Sequence, residues 1–161
     1  MKKIDSQKGI SGLLRPFRQF ISDAGLNKGD QVIYFGCPGT CTPFIELLAY
    51  AVRDMGLEHL YVPMLDTGSA KKLELVDGVG YQVKGKPETV SPKVVVIMGG
   101  LSMPGVPVTA DEALDAVNRT APDAKLAGVS FMNMFQKAGW TEKLSFDFMI
   151  DAILEPVDIW A

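Results

Sequence analysis

Cys37 and Cys41 are the only cysteines among 161 residues, and they share a turn of small side chains, Gly36-Cys37-Pro38-Gly39-Thr40-Cys41-Thr42. Residues of these types offer two chemistries. Glycine lets backbone N–H groups approach a ligand, and the free N–H groups of a following helix point the same way, which suits an anion. Thr40 and Thr42 add hydroxyls. A thiol at a helix N-terminus can instead ionise below its usual pKa and serve redox or soft-metal chemistry. The spacing limits both ideas. No lysine follows the glycines, so the turn is neither a P-loop nor a G-x-G-x-x-G fingerprint. C-x3-C is not the C-x-x-C of thioredoxin-like proteins. A tight strand-to-helix turn also takes small residues for packing alone.

Three further loops carry polar groups: Asp66-Thr67-Gly68-Ser69, Gly99-Gly100-Leu101-Ser102-Met103-Pro104-Gly105 and Met132-Asn133-Met134-Phe135-Gln136. Asp66 and Glu46 are the acids expected to reach the cysteine turn, with Ser102, Asn133 and Gln136 as hydrogen-bonding groups. His59 is the lone histidine. A helix about 20 Å long should separate it from the cysteines, which puts it at the opposite sheet edge, on the surface. This excludes a Ser-His-Asp set and a Cys2His metal site. Met64, Met98, Met103, Met132 and Met134 fall at or beyond strand ends on the cysteine side. They can fill gaps, line a flat ligand or, beside thiols, bind Cu(I).

The elements that must position these groups are legible. Leu13, Leu14, Phe17, Phe20 and Ile21 recur at helical spacing from Ser11, with Pro16 expected in the first turn. Residues 31–35 are apolar on both faces after Gln31, as in a parallel strand covered on each side. Thr42 as N-cap and Pro43 as N1 begin a helix whose expected buried stripe is Leu47, Leu48, Ala51 and Val52. Residues 59–65 form a strand, with Pro63 suggesting an edge or bulge. Residues 73–83 hold Asp77-Gly78 between apolar runs, a hairpin pattern. Residues 94–98 are the clearest strand. Thr109-Ala110-Asp111-Glu112 is a capping box. Residues 125–131 form another strand. Residues 146–154 fit a last strand or a helix.

This alternation predicts an α/β fold: a single three-layer Rossmann-like domain over residues 1–161, with a mainly parallel sheet and a small hairpin insertion. Ligands of such sheets bind outside the carboxyl ends of strands where strand order switches. The expected ligand set is therefore Gly36, Cys37, Gly39, Thr40, Cys41, Thr42, Asp66, Gly99, Gly100, Ser102 and Asn133. A net charge of −3 disfavours nucleic acid as a partner. No apolar run reaches the roughly 18 residues of a membrane span. Two cysteines make no disulfide scaffold, which predicts reduced thiols and a cytoplasmic location.

Gly36-Cys37-Pro38-Gly39-Thr40 after a strand, with Asp66 near the next strand's end, resembles the first motif of class I S-adenosylmethionine-dependent methyltransferases. That motif has one more glycine and an acid before the turn where this chain has Tyr34. Over the whole length, FGCPGTCTPF, FMNMFQKAGW and FDFMID are similar to an uncharacterised family of small archaeal proteins, found mainly in methanogens. This resemblance implies a fold and a compartment but no activity.

Three functions are compatible with these residues. One is a module binding a small anionic or nucleotide-like ligand at the cysteine turn. A second is a thiol redox or soft-metal protein using Cys37 and Cys41. The third is a non-catalytic subunit, whose apolar end Ile159-Trp160 docks on a partner or a second copy in a homodimer. Trp140 and Trp160 are both expected to pack. No residue set specifies a reaction, a cofactor or a resident metal.

Overall fold

The computed structural model describes residues 1–160. Helix α1 (Gly9–Asp23) leads into β1 (Gln31–Gly36), α2 (Thr42–Ala51) and β2 (Glu58–Pro63). A hairpin of β3 (Lys71–Val76) and β4 (Gly80–Val83) follows. Then come β5 (Pro92–Met98), α3 (Ala110–Thr120), β6 (Lys125–Phe131), the short helices α4 (Met134–Lys137) and α5 (Trp140–Lys143), and β7 (Phe148–Ala152). The ambiguous segment at residues 146–154 is thus a strand.

One seven-stranded sheet runs β4-β3-β2-β1-β5-β6-β7. From β2 to β7 the strands are parallel; the hairpin adds two antiparallel strands at the β2 edge. Chain order moves outward from β1 in both directions. Right-handed crossovers therefore set α2 on one face and α3, α4 and α5 on the other. Helix α1 packs on α2 and β7, so it joins the α2 face. Every residue of β1 is buried, because it has strands on both sides and helices on both faces. That is why its sequence lacks apolar–polar alternation.

Several local expectations change. Pro16 lies inside α1, not in its first turn, because the helix begins at Gly9. Cys41, not Thr42, is the N-cap of α2, with no side-chain cap. The buried stripe of α2 is Ile45, Leu48, Ala49 and Val52, with Leu47 and Ala51 only half-buried. Pro63 marks no edge strand: β3 pairs only with residues 59–61 of β2, so no N–H is needed at position 63 on that side. The capping box at Thr109 and Glu112 forms as expected. Trp140 packs in the core on Phe135, but Trp160 is exposed. No helix among the described residues is long and apolar enough to cross a membrane.

Candidate functional site

The strand order places the switch point between β1 and β5, since successive connections leave this pair in opposite directions. The loops at its carboxyl edge are residues 36–42 and Gly99–Ser102, a 3-10 turn. The space between them is filled by the chain's own thiols. Cys37 and Cys41 are both free and buried, and the Cys37 thiol donates to the Gly100 carbonyl at 3.3 Å. A Cβ built on Gly100 would lie 2.4 Å from Cys41 Sγ and 3.8 Å from Cys37 Sγ. One on Gly36 would lie 2.7 Å from Cys41 Cβ and 3.1 Å from Met98 Cγ. Glycine at these two positions thus makes room for sulfur. Gly99 is confined from the other side: its Cβ would sit 2.8 Å from Ser130 Cα.

Burial sets the protonation of this cluster. It raises the Cys37 thiol and pushes Cys41 up to about 11. Desolvation, followed by the two cysteines, pushes the Tyr61 phenol up to about 12. All three groups are neutral at pH 7, the reverse of an activated helix-terminal thiolate. Tyr61 donates to the Gly36 carbonyl at 3.2 Å and closes the floor of the turn.

The outer side of the turn is open. Pro38, Gly39 and Thr40 are exposed, and Thr42 is half-buried. Gly39 has φ +75°, a left-handed conformation that favours glycine. Two N–H groups of the turn are committed internally: Thr40 donates to Pro38 and Cys41 to Cys37. An anion here would meet the remaining N–H groups and the two threonine hydroxyls.

The other expected residues stand around this rim. Asp66 is exposed, and its carboxylate caps its own loop through the Gly68 N–H and the Ser69 hydroxyl. The Ser102 hydroxyl donates to the Gly99 carbonyl at 2.8 Å. Asn133 is exposed, and its N–H donates to both Asp151 oxygens at 3.0 Å. Glu46 is not part of the rim. Its carboxylate accepts from the Val83 N–H at 3.2 Å and ties α2 to the edge strand β4.

Three non-glycine residues have positive φ: Met64 at 54°, Met132 at 54° and Asn133 at 59°. All three follow the carboxyl ends of β2 or β6. Strained backbone of this kind clusters at working edges of folds. A groove of about 450 Å3 runs outward from Met64 and Leu65 along α3, past Val108, Glu112, Asp115 and Arg119. Sequence reasoning missed Tyr61, Ser130, Asp151 and Arg119, since none belongs to a motif. Only the parallel register brings Tyr61 and Ser130 to this edge.

His59 corrects a further expectation. It lies at the opposite sheet edge, as its position in β2 requires, but it is buried rather than on the surface. Its Nδ1 is 3.2 Å from the Tyr34 hydroxyl, and its ring meets Tyr81 edge-on. Its Nε2 has no hydrogen-bond partner among the described residues. Desolvation lowers its pKa to about 4. No group of three or more His, Cys, Asp or Glu residues placed to hold a metal ion occurs among the described residues.

Residues 8–155 match a family described as an uncharacterized protein conserved in archaea, DUF2124, and the chain belongs to that family. An uncharacterized protein of Methanocaldococcus jannaschii is 35% identical over 155 residues, covering 96% of this chain and 92% of its own. One from Methanothermobacter thermautotrophicus is 36% identical over 157 residues, with 96% of both chains covered. The crystal structure of a protein of unknown function from Methanothermobacter thermautotrophicus matches with a TM-score of 0.87 at 33% identity. That match spans all of this chain (100%) and 99% of the other.

Proposed function

We propose that this protein binds a small anionic or nucleotide-like ligand on the outer rim of the carboxyl edge. The ligand would rest on residues 38–42, with Gly99–Ser102, Asp66 and Asn133 around it. The observation that carries the reading is the switch point between β1 and β5, where open α/β sheets hold their ligands. The left-handed backbone at Met64, Met132 and Asn133 supports it. The groove along α3 adjoins the rim at Met64 and Leu65; with Glu112 and Asp115 beside Arg119, it offers room for an uncharged part of the ligand rather than for a phosphate.

Thermal unfolding with inorganic phosphate, AMP, ATP and S-adenosylmethionine tests this. A ligand at a hundred times its Kd adds about 2.7 kcal/mol to stability, which raises Tm by several degrees. Thr40→Glu places a negative charge on the exposed tip and should abolish the rise without altering the unliganded Tm. No Tm rise with any of the four at millimolar concentration would overturn the reading.

The thiol alternative has one observation behind it, the convergence of both sulfur atoms on Gly100. Burial counts against it at neutral pH. With Cys41 near 11, two units above its ordinary 9.0, its thiolate population falls about a hundredfold. In a Cys37→Ser variant, iodoacetamide should therefore label Cys41 in the folded chain at pH 7 about a hundredfold more slowly than in the unfolded chain. Equal labelling rates would favour the thiol reading instead.

A further inference from the structure

The two chain ends lie outside everything described so far. Met1, Ile4 and Ile10 are exposed at the start, with Ile4 at 89%. Ile153, Leu154, Val157, Ile159 and Trp160 are exposed at the end, the last two at 90% each. Eight exposed apolar side chains in two short segments are a liability for a protein that works alone.

The packing places both ends at one corner. Phe20, late in α1, stacks on Phe148, the first residue of β7, with ring centroids 4.8 Å apart. From Phe20 back to Gly9 the helix covers about 16 Å. From Phe148 forward to Ala152 the strand covers about 13 Å. Helix α1 returns through residues 24–30 to the amino end of β1, which β5 and β6 keep parallel to β7, so α1 runs roughly antiparallel to β7 and both arms leave toward the carboxyl end of this edge strand. The C-terminal arm departs beside the Met132–Asn133 loop: the Leu154 N–H lies 3.5 Å from Met132 Sδ.

The arms also carry opposite charge. Residues 1–8 hold Lys2, Lys3 and Lys8 against Asp5. Residues 153–160 hold Glu155 and Asp158 and no basic residue. Self-complementarity of this kind is what a two-fold interface needs, because each copy must supply both halves of every contact.

We propose that two copies of the chain associate through this corner, the basic N-terminal arm of each lying against the acidic C-terminal arm of the other. The buried area is adequate. Eight apolar side chains at roughly 100 Å2 each give about 800 Å2 per copy, the share of a standard interface. The corner adjoins Asn133 of the proposed rim, but the association and its test need no ligand at the cysteine turn.

Sedimentation equilibrium of the full chain should return about twice the 17.5 kDa protomer mass at micromolar concentration. Ile159→Asp with Trp160→Asp should weaken dimerisation at least a hundredfold. Charge reversal separates exchange between copies from other dimers. Lys2→Glu/Lys3→Glu leaves both arms acidic, and Glu155→Lys/Asp158→Lys leaves both basic. Each variant alone should be monomeric, and an equimolar mixture should form a one-to-one heterodimer. Circular dichroism melts matching the wild type would show that the fold is intact. A wild-type mass of one protomer at several hundred micromolar would overturn the proposal. So would a dimer that survives all of these changes, or a mixture that stays monomeric.

Discussion

At the carboxyl ends of β1 and β5, Cys37 donates to Gly100, Tyr61 to Gly36 and Ser102 to Gly99. At the amino ends of β1 and β2, His59 has Tyr34 on one nitrogen and, among the described residues, no partner on the other. Nearby, the Gln31 amide donates to Glu58 and the Thr89 carbonyl and accepts from the Ser91 N–H. The amino edge thus holds a framework with one poorly compensated ring. The carboxyl edge holds neutral thiols whose space is created by glycines, beneath an exposed rim. Both edges are closed inside. The amino edge also opens a cavity, of about 480 Å3 between Gly29, Gly56, Glu58, Lys72 and Tyr81, but the carboxyl edge has the switch in strand order and, among the described residues, all the left-handed backbone outside glycine, and so it is the better candidate for recognition.

The contrast can be broken at the glycines first. Gly99→Ala sets a methyl against the backbone of β6, at 2.8 Å from Ser130 Cα. A strand backbone in a central sheet cannot yield, so the loss should reach about 3 kcal/mol in urea unfolding, the upper part of the overpacking range. If Ser130→Gly restored full stability, the backbone would not be the obstacle.

Acid should act next, and at the other edge. The folded-state pKa of His59 is about 4 against an ordinary 6.5. Between those values the folded chain binds fewer protons than the unfolded one. Its stability is therefore complete above pH 6.5 and falls as the pH drops toward 4, by about 3 kcal/mol in all. His59→Phe strips Tyr34 of its partner and lowers stability at pH 7, but it should remove this slope. An unchanged slope in that variant would assign the acid sensitivity to other groups.

Gly100→Ala sharpens the comparison with Gly99. Its methyl overlaps the end of one side chain, Cys41 Sγ, and meets Cys37 at ordinary contact distance. The cost should be about 2 kcal/mol, typical of overpacking. Adding Cys41→Ala should recover most of it, giving a favourable coupling in a double-mutant cycle. Simple additivity of the two changes would mean that Gly100 is required for another reason.

Much of the fold was legible because each local pattern has one physical reading. Residues 31–35 lack alternation because both faces are covered, and residues 94–98 repeat that pattern. The Asp77-Gly78 turn between apolar runs announced the hairpin. The errors have common causes. Helix-start preference sets Pro16 in the first turn, yet α1 begins at Gly9, through an exposed first turn that no apolar periodicity marks. Polar residues at strand starts usually face solvent, but the β3–β4 hairpin brings Tyr81 over His59. Nearness in sequence sets Glu46 at the turn, whereas its side chain reaches the hairpin.

The sequence by itself determined the alternation of elements, the parallel core strands and the four loops at one edge, since these follow from periodicity, turn chemistry and the handedness of crossovers. It also determined that the turn is no P-loop and that no histidine joins the cysteines. Only the tertiary structure decided that the thiols are buried and neutral. Their state depends on Gly100, 63 residues beyond Cys37, where a missing side chain leaves the space the sulfur atoms occupy. It likewise decided that the oppositely charged chain ends share one corner, because that follows from α1 lying antiparallel on β7.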